Sequence, residues 1–322
     1  MKKKSPLRKA RLLAAMTQVQ VAEAVGVSQP TYQRWESGSC FIPKSKIAKL
    51  AKVLNTSQRQ IEGKPEPFDL LGIHEEISDE RKYYGELAIH FASGSPPLLL
   101  PVTEAERSRF QYAIQGEEAF IQIESLDNRI VFVRRKAIAD AYFSSEAYDD
   151  YGPEDYGEQH LGIHPDEAFW KIVEYGDYLE GLDDEFSEEE IQAVRKEVFL
   201  EGADIDELMA DGRIKAEDRG KALEEADQIT ERYVSRSREI TWQLRGNRGR
   251  QISSFENKEA YEALSILPMV DEDELLFLAP EGYHRSIFIS LSALDCITVP
   301  AHKYREGELD SAADELDEAE EE

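Results

Sequence analysis

The chain has 322 residues, 41% of them apolar and 9% aromatic, enough for more than one core, and it carries a net charge of −28. No apolar run approaches the roughly 18 residues a membrane helix needs, and the Lys-rich start leads into an amphipathic segment, so the cytoplasm is the expected location and no membrane partner is expected. The charge is unevenly placed: residues 1–65 hold thirteen Lys or Arg against three Glu (Glu23, Glu36 and Glu62), a local +10 that leaves −38 on the remainder. A basic head on an acidic body meets a phosphate backbone head-first, where a uniformly acidic chain would be repelled.

Along the head, Thr17 is placed to N-cap a helix whose apolar positions Val21, Ala22 and Val25 recur at three- and four-residue spacing, and Gly26 then supplies a positive-φ reversal. Ser28 is expected to cap a second helix with Pro30 in its first turn, where a missing amide costs nothing. Tyr32 and Trp35 share one face of that helix, and Gln29, Gln33 and Arg34 point elsewhere.

The run Thr17-Gln18, Val21-Ala22, Gly26-Val27-Ser28, Trp35-Glu36, Gly38, Pro43 and Leu50-Ala51 resembles the Xre family, the helix-turn-helix domains of lambda-repressor and Cro type, over roughly residues 5–63. Val21 stands where that family usually has Leu. The resemblance implies an all-α, five-helix DNA-binding domain with a motif core of Ala22, Gly26, Val27, Tyr32 and Trp35. It also implies a phosphate clamp at Gln18 and base-reading positions at Gln29, Pro30, Gln33 and Arg34. Pro30 offers only apolar contact, whereas Gln fits the N6/N7 edge of adenine and Arg the O6/N7 edge of guanine, each good pair discriminating by about 1–3 kcal/mol. Ser28, Lys2, Lys3, Lys4, Arg8, Lys44, Lys46 and Lys49 are the further expected phosphate contacts, which give affinity and salt dependence without sequence choice.

The head is expected to span 1–63, since Lys64-Pro65-Glu66-Pro67 cannot continue a helix, with a linker over 64–83. An α+β unit follows at 84–146: strands at Glu86–Phe91, Leu98–Val102, Ala119–Ile123, Ile130–Val133 and Ala137–Phe143, and a helix at Thr103–Ile114. The same β-β-α-β-β-β order is expected at 236–305, with strands at Ile240–Leu244, Gln251–Phe255, Leu275–Ala279, Ser286–Ser290 and Ala293–Val299 and a helix at Asn257–Leu267. Residues 118–143 align without gaps on 274–299, matching Phe132 with Phe288 and Ala137 with Ala293, which reads as an internal duplication.

Between the two units, residues 147–235 form an acidic helical insertion, with helices expected at Asp166–Leu179, Ser187–Phe199 and Lys215–Tyr233 and a burying stripe of Ile191, Val194, Val198 and Phe199. The tail at 306–322, with ten acidic residues and no basic one, is expected to be disordered.

Catalytic patterns are missing. His74-Glu75-Glu76-Ile77-Ser78 lacks the second His of a zinc-protease helix, and His160 and His164 flank Gly162 with no third ligand nearby in sequence. Cys40 and Cys296 sit far apart, with no nearby Cys or His at metal-ligand spacing, and read as two small buried thiols. Gly246-Asn247-Arg248-Gly249 fits a hairpin turn better than a phosphate cradle. No enzyme activity, metal or cofactor is expected. The sequence reads as a DNA-binding transcriptional regulator, a repressor by preference, that pairs as a homodimer on double-stranded DNA. Its C-terminal part would serve assembly or sensing. The alternative is an antitoxin or inhibitory protein whose acidic body masks a basic partner protein while the head represses its own operon.

Overall fold

A computed structural model describes residues 6–37, 40, 42–56, 58–61, 83–145, 163, 164, 166–176, 182, 185–282 and 285–321. The chain divides into two compact units, one holding residues 1–72 with 180–190 and 308–322, the other residues 73–179 and 191–307. No helix among the described residues is long and apolar enough to cross a membrane.

Among the described residues of the N-terminal part, the helical segments are α1 (Pro6–Leu13), α2 (Gln18–Val25), α3 (Gln29–Glu36), α4 (Lys44–Val53) and the single turn α5 (Gln58–Ile61). Their apolar faces converge on a core of Leu7, Val21, Ala22, Val25, Tyr32, Trp35, Leu50 and Ile61. Each such large side chain stabilises the fold by about 1.5–3 kcal/mol when fully buried.

In the second unit β1 (Tyr83–Phe91), β2 (Leu98–Thr103), α6 (Glu104–Ala113), β3 (Phe120–Ser125), β4 (Arg129–Arg134) and β5 (Ile138–Ser145) come first. The helices α7 (Glu167–Tyr175), α8 (Glu188–Val198), α9 (Gly202–Ala210) and α10 (Arg219–Arg238) follow, and α8 begins in the first unit. Next come β6 (Ile240–Leu244), β7 (Arg248–Ile252), α11 (Asn257–Ser265), β8 (Leu275–Leu278), β9 (Ile287–Ser290), β10 (Leu294–Pro300) and α12 (Ala301–Glu321), whose residues from Glu308 on belong to the first unit. A five-stranded antiparallel sheet, ordered β3-β4-β10-β6-β7, lies at the centre. Because side chains alternate across a strand, this sheet feeds two cores. Ile121, Ile123, Val131 and Val133 join the core built with β1, β2 and α6, while Phe120, Phe132, Ile297 and Val299 join the one built with β8, β9 and α11.

The two β-β-α-β-β-β runs share detail beyond their order. β1 pairs with β2 and β5, as β6 pairs with β7 and β10, and β3 pairs with β4 as β8 pairs with β9. A bulge interrupts each final pairing at the matching place, at Ala139 between Ile138 and Asp140 and at Asp295 between Leu294 and Cys296. A 3-10 turn precedes each final strand, Arg135–Ala137 and Leu291–Ala293. The turn after each first strand is tied to it alike, Ala92 N donating to Ala137 O at 2.9 Å and Arg245 N to Ala293 O at 3.0 Å.

Four expectations change. Cys40, expected to be buried, is exposed, whereas Cys296 is buried in β10. The acidic tail is helical: α12 continues unbroken from Ala301 to Glu321, because its start is locked to the sheet and the apolar positions Tyr304 and Ala313 are buried. Ala301 N donates to Asn128 O at 3.0 Å, His302 N to Asn128 Oδ1 at 3.1 Å, and Asn257 Nδ2 to Glu306 Oε2 at 3.0 Å. Strand β7 begins three residues earlier than expected, because Gly246 and Asn247 take φ of 79° and 57° and close the hairpin at once. Helix α9 was not anticipated; it is reciprocally capped by Glu201 and Asp204. The segment 64–82, His74 and His160 lie outside the described residues.

Candidate nucleic-acid interface

Local chemistry sets the geometry of α2, the turn and α3. Thr17 Oγ1 accepts from the Gln20 amide at 3.2 Å while Gln20 Oε1 accepts from the Thr17 amide at 3.0 Å, a reciprocal cap that starts α2. Gly26, at φ 75°, ends α2: its own amide and that of Val27 both donate to Ala22 O at 2.9 Å. Lys46 Nζ then donates to the carbonyls of Val25 at 3.0 Å and Gly26 at 3.4 Å, so α4 is tied to the turn. That ammonium neutralises the carbonyl end of α2.

Ser28 stands at the cap position of α3, but its hydroxyl pairs with Thr31 Oγ1 at 2.8 Å and makes no cap bond to the backbone. Tyr32 and Trp35 are buried. Burial, and then the nearby Glu36 carboxylate, pushes the Tyr32 phenol above its ordinary pKa. Gln29, Pro30, Gln33 and Arg34 occupy the opposite, exposed face, at the one- and four-residue spacing that keeps them together on a helix. Arg34 Nε donates to Pro30 O at 3.2 Å, which holds the guanidinium along that face.

The sequence did not disclose what fixes α3 in place. Arg11 of α1 is buried and pairs with Glu36, NH2 lying 3.0 Å from Oε1, and its NH1 donates to Met16 O at 3.0 Å. One guanidinium thus joins α1, α3 and the segment leading into α2. Arg11 counts towards the +10 of the head, yet its charge is spent internally.

Of the expected phosphate contacts, Gln18 is half-buried at the start of α2, Arg8 is half-buried on α1, and Lys44 and Lys49 are exposed. Lys46 is the one seated on carbonyls. Lys2, Lys3 and Lys4 lie outside the described residues.

Residues 7–59 match the helix-turn-helix family model. This head is an Xre-like helix-turn-helix domain. The match leaves the C-terminal region unrecognised. No curated protein and no solved structure matches the chain. In the helix-turn-helix domain α3 is the second helix of the motif, the one that such domains lay in the major groove.

Polar groups also converge in the second unit, around a cavity of about 60 Å³ lined by Glu106, Glu124, His164, Glu167, Trp170 and Arg305. That volume suits a few waters and no organic substrate. Burial pushes the Glu106 carboxyl up to about 7, against the pull of Arg109. His164 stacks on Phe169 at 4.0 Å, with Nε2 3.1 Å from Tyr233 Oη and 3.0 Å from Glu197 Oε1. Packing accounts for this histidine. Nearby, burial opposes ionisation of Asp127, but Arg129 and Arg236, helped by Ser125, hold its carboxyl down at about 2.

Proposed function

We propose that the chain is a sequence-specific DNA-binding transcription regulator, a repressor, acting in the cytoplasm as a homodimer on a near-palindromic site. The observation that carries this reading is the two-sided build of α3: Tyr32, Trp35 and Glu36 hold one side while Gln29, Pro30, Gln33 and Arg34 stand exposed on the other. Two amides and a guanidinium can read base edges, and Pro30 can meet a thymine methyl. Gln18, Ser28, Arg8, Lys44 and Lys49 would contact phosphates, and Lys46 would help chiefly by fixing the turn. One such helix reads a half-site, so two heads about one helical turn apart are needed.

The body would serve assembly or sensing, built from two copies of one β-β-α-β-β-β unit. Shared strand pairing, shared bulge positions and the shared 3-10 turn support the duplication. A second reading, an inhibitory protein that masks a basic partner, draws on the exposed glutamates that open α8, Glu188 and Glu189, and on the −38 carried outside the head.

Genome-wide DNA pulldown with the full chain tests the proposal, repeated with Gln33→Ala and Arg34→Ala together. Wild type is expected to enrich one short near-palindrome and the double variant to lose it. A motif that survives both changes would remove α3 as the reader, and copurification with a basic protein in place of any motif would favour the second reading.

A further inference from the structure

The β6–β7 hairpin breaks the acidic character of the body. Residues 240–255 hold three Arg and no Asp or Glu, in a part of the chain that carries −38. Arg245 stands in the turn, and Arg248 and Arg250 follow on β7, an outer strand of the five-stranded sheet. The seven residues from Arg245 to Gln251 are all exposed.

Other arginines of the body, such as Arg129, Arg134 and Arg219, meet carboxylates at Asp127, Glu272 and Asp206. Those of the hairpin do not. Among the described residues none of the three lies in an ion pair: Arg248 Nε donates to Arg245 O at 3.3 Å and Arg250 NH1 to Gly249 O at 2.7 Å, and the rest of each five-donor fork is unengaged. The corresponding hairpin of the first half is built otherwise. Ala92-Ser93-Gly94-Ser95-Pro96-Pro97 joins β1 to β2, and β2 has no charged residue and is almost wholly buried. A hairpin of this build therefore folds without arginines. Charge of either sign would guard an exposed edge strand against strand addition. Three cations with no carboxylate among them select an anion as well, and the planar fork of Arg suits phosphate, which it grips through two parallel N–H bonds.

We propose that the β6–β7 hairpin is a second nucleic-acid contact, in which Arg245, Arg248 and Arg250 bind phosphates of double-stranded DNA. It reads no base, and adds affinity and salt dependence to the choice made by α3. Alternate residues of a strand stand about 6.8 Å apart on one face, so Arg248 and Arg250 extend along a phosphate backbone and do not close on a single group. A chain bound through its head brings a body of −38 near the duplex, and a cationic edge offsets the repulsion there. The inference rests on the regulator reading and enlarges its DNA contact beyond the helix-turn-helix domain.

Titration of the full chain with a long duplex of arbitrary sequence, over a range of salt, tests it. Each phosphate contact adds about 0.9 to the slope of log K against log salt, so Arg245→Gln, Arg248→Gln and Arg250→Gln together should reduce that slope by about 2–3. Arg245→Lys, Arg248→Lys and Arg250→Lys together should keep it. Lys196→Gln, Arg213→Gln and Lys215→Gln, an equal change of charge at exposed positions of the helical insertion, should reduce it by less than about 1. Amide exchange over residues 245–252 of wild type should slow when the duplex is added, a reading that needs no variant. An unchanged slope, an equal fall in the helical-insertion variant, or exchange in the hairpin indifferent to DNA would each overturn the contact. So would a hairpin variant that keeps its slope but loses a copurifying acidic protein, which would hand the patch to that partner. The DNA motif keeps the two readings apart: the α3 double variant is expected to lose it and the hairpin variant to retain it, whereas a wild type that binds no DNA removes both.

Discussion

Among the described residues of the helix-turn-helix domain, the fully buried charge is one pair, Arg11 with Glu36, 25 positions apart. In the body it is meshed: Asp127 meets both Arg129 and Arg236, and Glu174 meets both His302 and Lys303. The contrast follows from what each region must leave open. The domain concentrates its polar fixing on the hidden side of α3, so the exposed side is free to carry sequence preference. The body sets Asp127 between Arg129 and Arg236 where the β3–β4 hairpin meets α10, and sets Glu174 of α7 against Lys303 and His302 of α12, where burial favours the neutral imidazole.

The sharpest test of that contrast is Glu36→Ala, which leaves Arg11 buried without its carboxylate. It is expected to cost the domain about 4 kcal/mol, read as faster amide exchange throughout α1 and α3. Next is the acid response of the body. Asp127 sits at about 2 against an ordinary 3.8, so its contribution is present above about pH 4 and is lost as pH falls towards 2. Urea melts at pH 5 and pH 2.5 should show a loss of about 2 kcal/mol that Asp127→Asn lacks.

Glu106 has the opposite sign. Its carboxyl is raised from 4.5 to about 7, so its contribution is full below about pH 4.5 and disappears as pH rises through 7. Glu106→Gln should therefore match wild type near pH 5 and exceed it by about 2 kcal/mol at pH 8. The smallest expected effect completes the comparison: Arg34→Ala should change thermal stability by less than about 0.5 kcal/mol, since its side chain is exposed. A large loss there would mean that the outer side of α3 is structural.

Local signals made the helix-turn-helix domain legible before any coordinates. Gly26 announces a left-handed residue, Thr17 a cap, and Tyr32 with Trp35 a buried face, all within twenty residues of one another. The Arg11–Glu36 pair escaped notice because a charge does not reveal its distant partner. In the body, the succession of strands along the chain and most of their boundaries followed from alternation and turns, but their pairing, such as the joining of β4 to β10, follows from no local pattern. Helix α12 was hidden for a related reason: its composition is that of a solvated tail, and only contacts such as Asn257 with Glu306 show that the chain there is held. The positions of α3 proposed to face bases came from the family resemblance, and the structure adds that they are exposed and what polar ties lie around them.

The place of β10 has a consequence for synthesis. This strand lies between β4 and β6 in the sheet although it is made after both. While a ribosome is still short of Leu294, β4 and β6 each offer an open, hydrogen-bonding edge to whatever strand comes near. A body completed from its middle is slow to become safe, and the growing chain has to keep two edges apart from foreign strands until their common neighbour emerges.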